Sequence, residues 1–570
     1  MKLTGKIFAI VVMLVGAQQA VAMGDSKTIS PRDAFDLNPD PNTVEVVLVA
    51  HENVVDFGTG NTTAVYTYNG GIPGPTIRGK VGDRLIVHFY NTLPEETTVH
   101  WHGLELPANQ DGSFLSQTPV EPYQYKRYEF DLNTASLFWY HPHIRSDEQI
   151  EKGLYGALLV EDPAENAALD LPQSEHLLVL DDVLLDDNGQ VAEHYSAMAD
   201  PLARTKQILD GREGNLKTVN GETQPVVRVK QYEPQRLRVV NTSNATFMRL
   251  SLSGHSGHTM YRIGGDGGLL EAPLQLHPIG CDEGGDGGHG GHEAASDDSD
   301  TCMSDPDINK GVLLTPGERA DIVFTPVGKE PIHLEWHDIR KGRHTASYDE
   351  ETGKIVLSHA HGDGAAPREV LMTFETFGGG KDEAYVPPTV LRDIPMLVPD
   401  VTEPLVLKFG HAPPDANGNV KLFVQDIGKP FVKVTTEDAY DLEVGKTYIW
   451  ESWNLTGGIH NFHPHGFAVQ LIETQYIDMD TPANNYTVPA PYLEWKDTVA
   501  MPARPGAPMR SRTVQRYAMK IDDTGREGEV AASGKVPSET ESGGWLLHCH
   551  INEHSRNGMG TFFEVFDPAE

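Results

Sequence analysis

Short runs of apolar and β-branched residues recur along almost the whole chain, broken by Gly, Pro, Asn and Asp. Examples are Val44 to Val49, Leu85 to Phe89, Ala157 to Val160, Leu177 to Leu180, Arg236 to Val240 and Thr561 to Val565. Runs of this length suit strands, and the turn formers between them interrupt helices. The pattern predicts an all-β chain of Greek-key β-sandwiches or barrels with few long helices.

One apolar run is different. Ile7 to Gly16 follows a segment carrying Lys2 and Lys6 and precedes Ala20-Val-Ala22. That order of charge, apolar run and small residues is a secretory signal peptide over 1–22. The mature protein is expected in the periplasm or outside the cell, with no membrane insertion after signal cleavage.

A repeat organises the rest. Trp139-Tyr-His141-Pro-His143-Ile runs on to Gly156-Ala-Leu-Leu-Val160. Near the end, Trp545-Leu-Leu-His548-Cys549-His550-Ile runs on to Gly560-Thr-Phe-Phe-Glu-Val565. A second echo pairs His100-Trp-His102-Gly103 with His463-Pro-His465-Gly466. The first and last parts of the chain therefore carry matching halves of one site. Domains are expected at 40–165, 175–377 and 394–570, since 570 residues exceed one ordinary core. Within the second, the insertion 278–309 is rich in Gly and Asp, holds His289 and His292, and reads as a flexible loop.

Charge and cysteine narrow the partners. The formal charge of −37 repels nucleic acid and acidic lipid, so neither is an expected partner. Of three cysteines, Cys281 and Cys302 flank the insertion and are the natural disulfide. Cys549 is left over, and metal ligation gives it a reason to stay free.

The histidines supply that metal. A lone pair such as His359-Ala-His361 is ordinary surface chemistry. Four clusters with Trp and Gly neighbours are a different matter: His100/His102, His141/His143, His460/His463/His465, and His548/His550 with His554. In an extended His548-Cys549-His550 the histidines face one way and the cysteine the other. One metal can sit behind Cys549, completed by His554 and Met559, while others sit before the histidines. Thiolate, imidazole and a weak thioether describe an electron-transfer copper site.

These motifs, with Gly71-Ile-Pro-Gly-Pro-Thr-Ile-Arg78, Gly82-Asp83 and Leu314-Thr-Pro-Gly-Glu-Arg-Ala-Asp321, resemble the multicopper oxidases over nearly all the chain after the signal peptide. The resemblance implies three consecutive cupredoxin-like domains and four copper ions. A type 1 copper would take His460, Cys549 and His554, with Met559 axial. A type 2 copper would take His100 and His463. Two type 3 coppers would take His102, His141, His143, His465, His548 and His550. Electrons would pass from Cys549 through His548 and His550, and Asp111 would match the carboxylate that helps deliver protons. The family's bacterial members place a glutamate after the last type 1 histidine, where this chain has Ser555; Glu553 reads as a surface or hydrogen-bonding residue.

The implied activity is laccase-like: dioxygen is reduced to water while a phenolic or similar aromatic donor is oxidised. A metal-ion oxidase acting on Cu(I), Fe(II) or Mn(II) in copper tolerance is the alternative enzyme, although Thr456 stands where such members carry an acid. A non-catalytic periplasmic copper-binding protein is the alternative of another class. A monomer is expected.

Overall fold

The computed structural model describes residues 29–253, 260–276, 311–339, 344–359, 368–379, 384–424, 440–503, 511–522 and 544–568. The signal peptide at 1–22, the insertion 278–309 and the Cys281–Cys302 disulfide lie outside the described residues.

One pairing pattern occurs three times. Strand Thr43–Val55 runs parallel to Arg84–Asn91, which is antiparallel to Tyr125–Asp131. Ser174–Val183, Gln235–Asn241 and Arg319–Phe324 repeat this order, as do Val401–His411, Thr447–Asn454 and Ser511–Lys520. A parallel neighbour requires a long crossover instead of a hairpin, which is how a Greek-key strand returns to its sheet. Each of these sheets faces a second one that also repeats. In the first unit Ile77–Lys80 is parallel to Gly156–Glu161, followed by antiparallel Ser136–His141 and His100–His102. In the last unit the order is Tyr440–Glu443, Gly560–Phe566, Trp545–His548 and His460–Pro464. The fold is all-β, with three consecutive cupredoxin-like units.

Burial follows from where each sheet lies. Arg84–Asn91 alternates, with Leu85, Val87 and Phe89 buried and Ile86 and His88 part-exposed, because one face meets solvent. Ser136–His141 is buried throughout, because its far face packs on the middle unit. There Leu137, Trp139 and Leu159 meet Leu177, Val179 and Val240 in one apolar cluster. Truncating Trp139 to alanine would cost about 3–5 kcal/mol and would strip the packing behind His141, whose ring lies 4.2 Å from the indole.

Register brings the histidines together. His100 lies opposite His141, and His463 opposite His548. In the middle unit the corresponding strands, Ile332–His337 and Met248–Ser253, carry no such pairing.

Candidate metal centre

Eight histidines close on one another between the first and last units: His100, His102, His141 and His143 from one side, His463, His465, His548 and His550 from the other. All are buried. His102 stacks on His463 with ring centroids 4.0 Å apart, and His100 on His465 at 3.9 Å. His548 Nε2 lies 3.1 Å from His465 Nε2 and 3.4 Å from His143 Nε2. Donor atoms of His143, His465 and His548 form one group lying within 4.8 Å of one another, and those of His102, His463 and His550 form another.

Backbone carbonyls aim four of these eight rings. The Nδ1–H groups of His100, His141, His463 and His548 donate to the carbonyls of Asp111, Pro142, Asp497 and Cys549, at 2.7 to 3.0 Å. Their Nε2 atoms are thereby turned into the cage. His102 is reversed: its Nε2 meets Asp497 Oδ1 and Thr498 Oγ1, both at 3.0 Å, and its Nδ1 faces inward. His465 donates from Nδ1 to Asp111 Oδ2 at 3.0 Å. Two aspartates thus hold the cage from opposite poles, each using its carbonyl on one ring and its carboxylate on another. Gly103, after His102, has φ +86°, and a Cβ there would lie 2.5 Å from Asp497 Oδ2.

The cage fits a metal. His100 Nε2, His102 Nδ1, His141 Nε2, His463 Nε2 and both nitrogens of His550 are buried without a hydrogen-bond partner. Each such atom costs about 1–3 kcal/mol if left unmet, so six at one place are untenable unless something binds them. Burial, reinforced by the neighbouring imidazoles, pushes His102, His141, His143, His463, His465 and His550 well below the usual histidine range. Burial pushes His548 down to about 4. Neutral imidazole is the form that ligates metal. Burial raises the Asp111 carboxyl, but His100 and the hydrogen bonds outweigh it and leave Asp111 below its ordinary value.

A second donor set lies behind Cys549. The strand ends at His548, yet the ladder continues, since the Cys549 N–H donates to the Met559 carbonyl at 3.0 Å. Cys549 Sγ lies 3.8 Å from His460 Nδ1 and 3.6 Å from His554 Nδ1, which are 3.1 Å from each other. Met559 is fully buried in the same core. One thiol, two imidazoles and a nearby thioether suit copper and exclude hard cations, which take oxygen ligands. The outer nitrogens are covered as well. His460 Nε2 meets Thr456 Oγ1 at 2.6 Å, and His554 Nε2–H donates to the Leu209 carbonyl at 2.9 Å. Leu209 belongs to helix Pro201–Asp210, started by the Asp200 cap and Pro201 at its first turn.

All ten histidines of the four clusters fall in one of these two sets, and Asp111 reaches the cage; His289 and His292 lie outside the described residues. Of the two readings of Glu553, surface or hydrogen-bonding, the surface one is corrected: it is fully buried, accepts a hydrogen bond from Asn244 Nδ2 at 3.3 Å, and is pushed up to about 7 by burial. Sequence reading missed Asp497, Thr498, Arg319 and Leu209. The echo of His100-Trp-His102-Gly103 in His463-Pro-His465-Gly466 held a clue to Asp497, because a carboxylate serving one half calls for a counterpart in the other.

Two family models, each described as multicopper oxidase, match residues 50–165 and 404–520. The chain is 32% identical over 267 residues to a multicopper oxidase of Staphylococcus epidermidis, covering 45% of this chain and 55% of the relative. It thus spans about half the length of the staphylococcal relatives that it matches. A laccase of Bacillus subtilis is 25% identical over 89% of this chain and 91% of its own. A solved multicopper oxidase of Pediococcus acidilactici is 25% identical and superposes with a TM-score of 0.64 over 97% of this chain and 94% of that one. The two matched segments hold six of the eight cage histidines, and over both of them the chain matches the multicopper oxidase family.

Proposed function

We propose that the protein is an oxidase that takes electrons singly from a reducing donor at the Cys549 site and delivers them to dioxygen at the histidine cage. Four one-electron oxidations, four protons and one dioxygen give two waters. The observation that carries this reading is His548-Cys549-His550: one tripeptide spans both donor sets, with the thiol in one and the imidazoles in the other.

His460, Cys549 and His554, with Met559 contributing a thioether, would hold the type 1 copper, and His100 and His463 the type 2 copper. His143, His465 and His548 would hold one type 3 copper, and His102, His141 and His550 the other. Bound copper would supply reversible one-electron redox chemistry at the first site and the capacity to gather four electrons at the cage. The chain's own residues do the rest. Leu209 and Thr456 fix the outer edges of His554 and His460 and keep water off Cys549. Asp111 holds His465 and His100 in their ligating orientation and offers a carboxylate at the cage wall for proton transfer. Domains at 40–165, 175–377 and 394–570 carry these parts in an exported, monomeric chain acting on a phenolic or similar aromatic donor.

Oxygen consumption by the copper-loaded protein with a simple phenol tests the reading. Uptake that stops in Cys549→Ser supports it; no uptake by a fully copper-loaded wild type would make the chain a copper-binding protein.

A second donor class has its own support. Asp210, His344 and His411 line the cleft against His460 and His554. His344 Nδ1 lies 2.9 Å from Asp210 Oδ1, and the His344 and His411 rings are 6.1 Å apart. These nitrogen and oxygen donors suit a metal ion such as Cu(I), Fe(II) or Mn(II) arriving as substrate. Comparing kcat/KM for a phenol and for these ions in His411→Ala separates the two: loss for the ions alone favours the metal-ion donor.

A further inference from the structure

Among the described residues the middle unit gives the cage no ligand, yet its turn Leu314-Thr-Pro-Gly-Glu-Arg-Ala-Asp321 reaches the cage wall. Gly317 has φ +91°, and a Cβ there would lie 2.9 Å from the His102 ring and 3.3 Å from that of His550. Asn461, next to His460, donates to Thr315 Oγ1 at 2.9 Å and to the Pro316 carbonyl at 3.1 Å.

Arg319 is the centre of this contact. A guanidinium has five N–H donors in a rigid fork, and all five meet oxygen here. Nε donates to the Leu137 carbonyl of the first unit at 2.9 Å. Nη1 donates to the Gly317 carbonyl at 3.0 Å and to Asp497 Oδ1 at 2.6 Å. Nη2 donates to the Asp266 carbonyl at 3.0 Å and to Asp497 Oδ2. One buried side chain therefore touches all three units, and its fork grips the carboxylate that holds His102.

His102 has particular need of such a grip. Rings anchored to a backbone carbonyl are fixed by the strand itself. His102 is the ring turned the other way, with Nδ1 inward, and only side chains, Asp497 and Thr498, meet its Nε2. An aspartate free to rotate would not fix it, and Arg319 removes that freedom by binding both carboxylate oxygens.

We propose that Arg319 is a positioning residue for the cage: through a bidentate pair with Asp497 it locks His102 in the reversed orientation that presents Nδ1 to metal. Docking of the middle unit is then a condition for a complete cage. The proposal rests on the cage being the copper site described above.

The test uses the full copper-loaded chain with Arg319→Gln, Arg319→Lys, Asp497→Asn and the double variant Arg319→Gln/Asp497→Asn. Cage copper is measured by metal analysis and electron paramagnetic resonance, with the blue absorption as an internal control. Lysine, with three donors and no fork, is expected to fail like glutamine. Both single Arg319 variants should stay blue while cage affinity drops about 10–100-fold, as for other outer partners of metal-bound histidine. Adding Arg319→Gln to Asp497→Asn should weaken the cage no further. A full cage with an unchanged resonance spectrum in either Arg319 variant would overturn the proposal. So would additive losses in the double variant, because Arg319 would then act as a staple between units and not through Asp497. Should Arg319→Gln fail to fold, Asp497→Asn, of equal volume, decides alone: a full-affinity cage refutes the link. A wild type that fills the Cys549 site but takes no copper in the cage would refute the functional reading instead.

Discussion

The two donor sets are built in opposite ways. The Cys549 set belongs to one unit: His460 on one strand, Cys549 just past the end of its neighbour, and His554 and Met559 in the chain that folds back. The cage is shared, with four histidines from each of two units that meet only when the whole chain has folded. A site within one unit is fixed by local register. A site between units has to be aligned from outside, and so Asp111 and Asp497 stand at the poles of the cage, whereas the outer edges of His460 and His554 meet a hydroxyl and a backbone carbonyl. The cage also gathers eight imidazoles away from water, at a cost that bound metal would offset.

The sharpest way to separate the sets is to delete one donor from each. Cys549→Ser should abolish the blue absorption and all turnover, while copper analysis still finds the cage occupied. His102→Ala should keep the blue band and stop oxygen uptake. A blue Cys549→Ser protein, or full turnover by His102→Ala, would erase the distinction.

Next in size is the alignment. Asp111→Ala removes the carboxylate from His465 and should lower turnover or cage affinity about 10–100-fold. Stopped-flow bleaching of the blue band by a donor should be unchanged, since no part of the Cys549 set touches Asp111. If bleaching slows in step with oxygen uptake, the two sets are not separable in this way.

Acid probes the cage through stability. Seven of its histidines, His102, His141, His143, His463, His465, His548 and His550, have folded pKa values lowered by burial, to about 4 for His548. In the unfolded chain histidine titrates near pH ~6.5. Between those limits the unfolded state binds more protons, so this contribution is present above pH ~6.5 and is lost as pH falls toward about 4. The melting temperature of the metal-free protein should therefore drop between pH 7 and pH 5, and by less in a His143→Gln/His548→Gln variant. Equal drops in both proteins would contradict the assignment of that loss to the cage.

The smallest expected effect is at the outer edge of the Cys549 set. Thr456→Val removes the hydroxyl from His460 Nε2 and should cost about 1 kcal/mol in denaturant unfolding. The blue band should persist, because Nδ1, which faces Cys549 and His554, is untouched.

The sequence by itself determined the strands, the repeat and the donors. Alternation across His548-Cys549-His550 separates a thiol from two imidazoles whatever the rest of the fold does, because strand geometry has period two. Motifs repeated in the first and last units likewise required a shared cage. Only the tertiary structure decided what surrounds those donors. Asp497 meets His102 across 395 positions and Arg319 across 178, through contacts that no local pattern encodes. Glu553 looked peripheral because polarity in a sequence does not reveal burial. Thr456 and Leu209 serve the Cys549 set through a hydroxyl and a backbone carbonyl, and a backbone carbonyl is common to every residue. Candidate ligands are legible because few side chains bind copper; the groups that aim them are ordinary, and their roles arise from position.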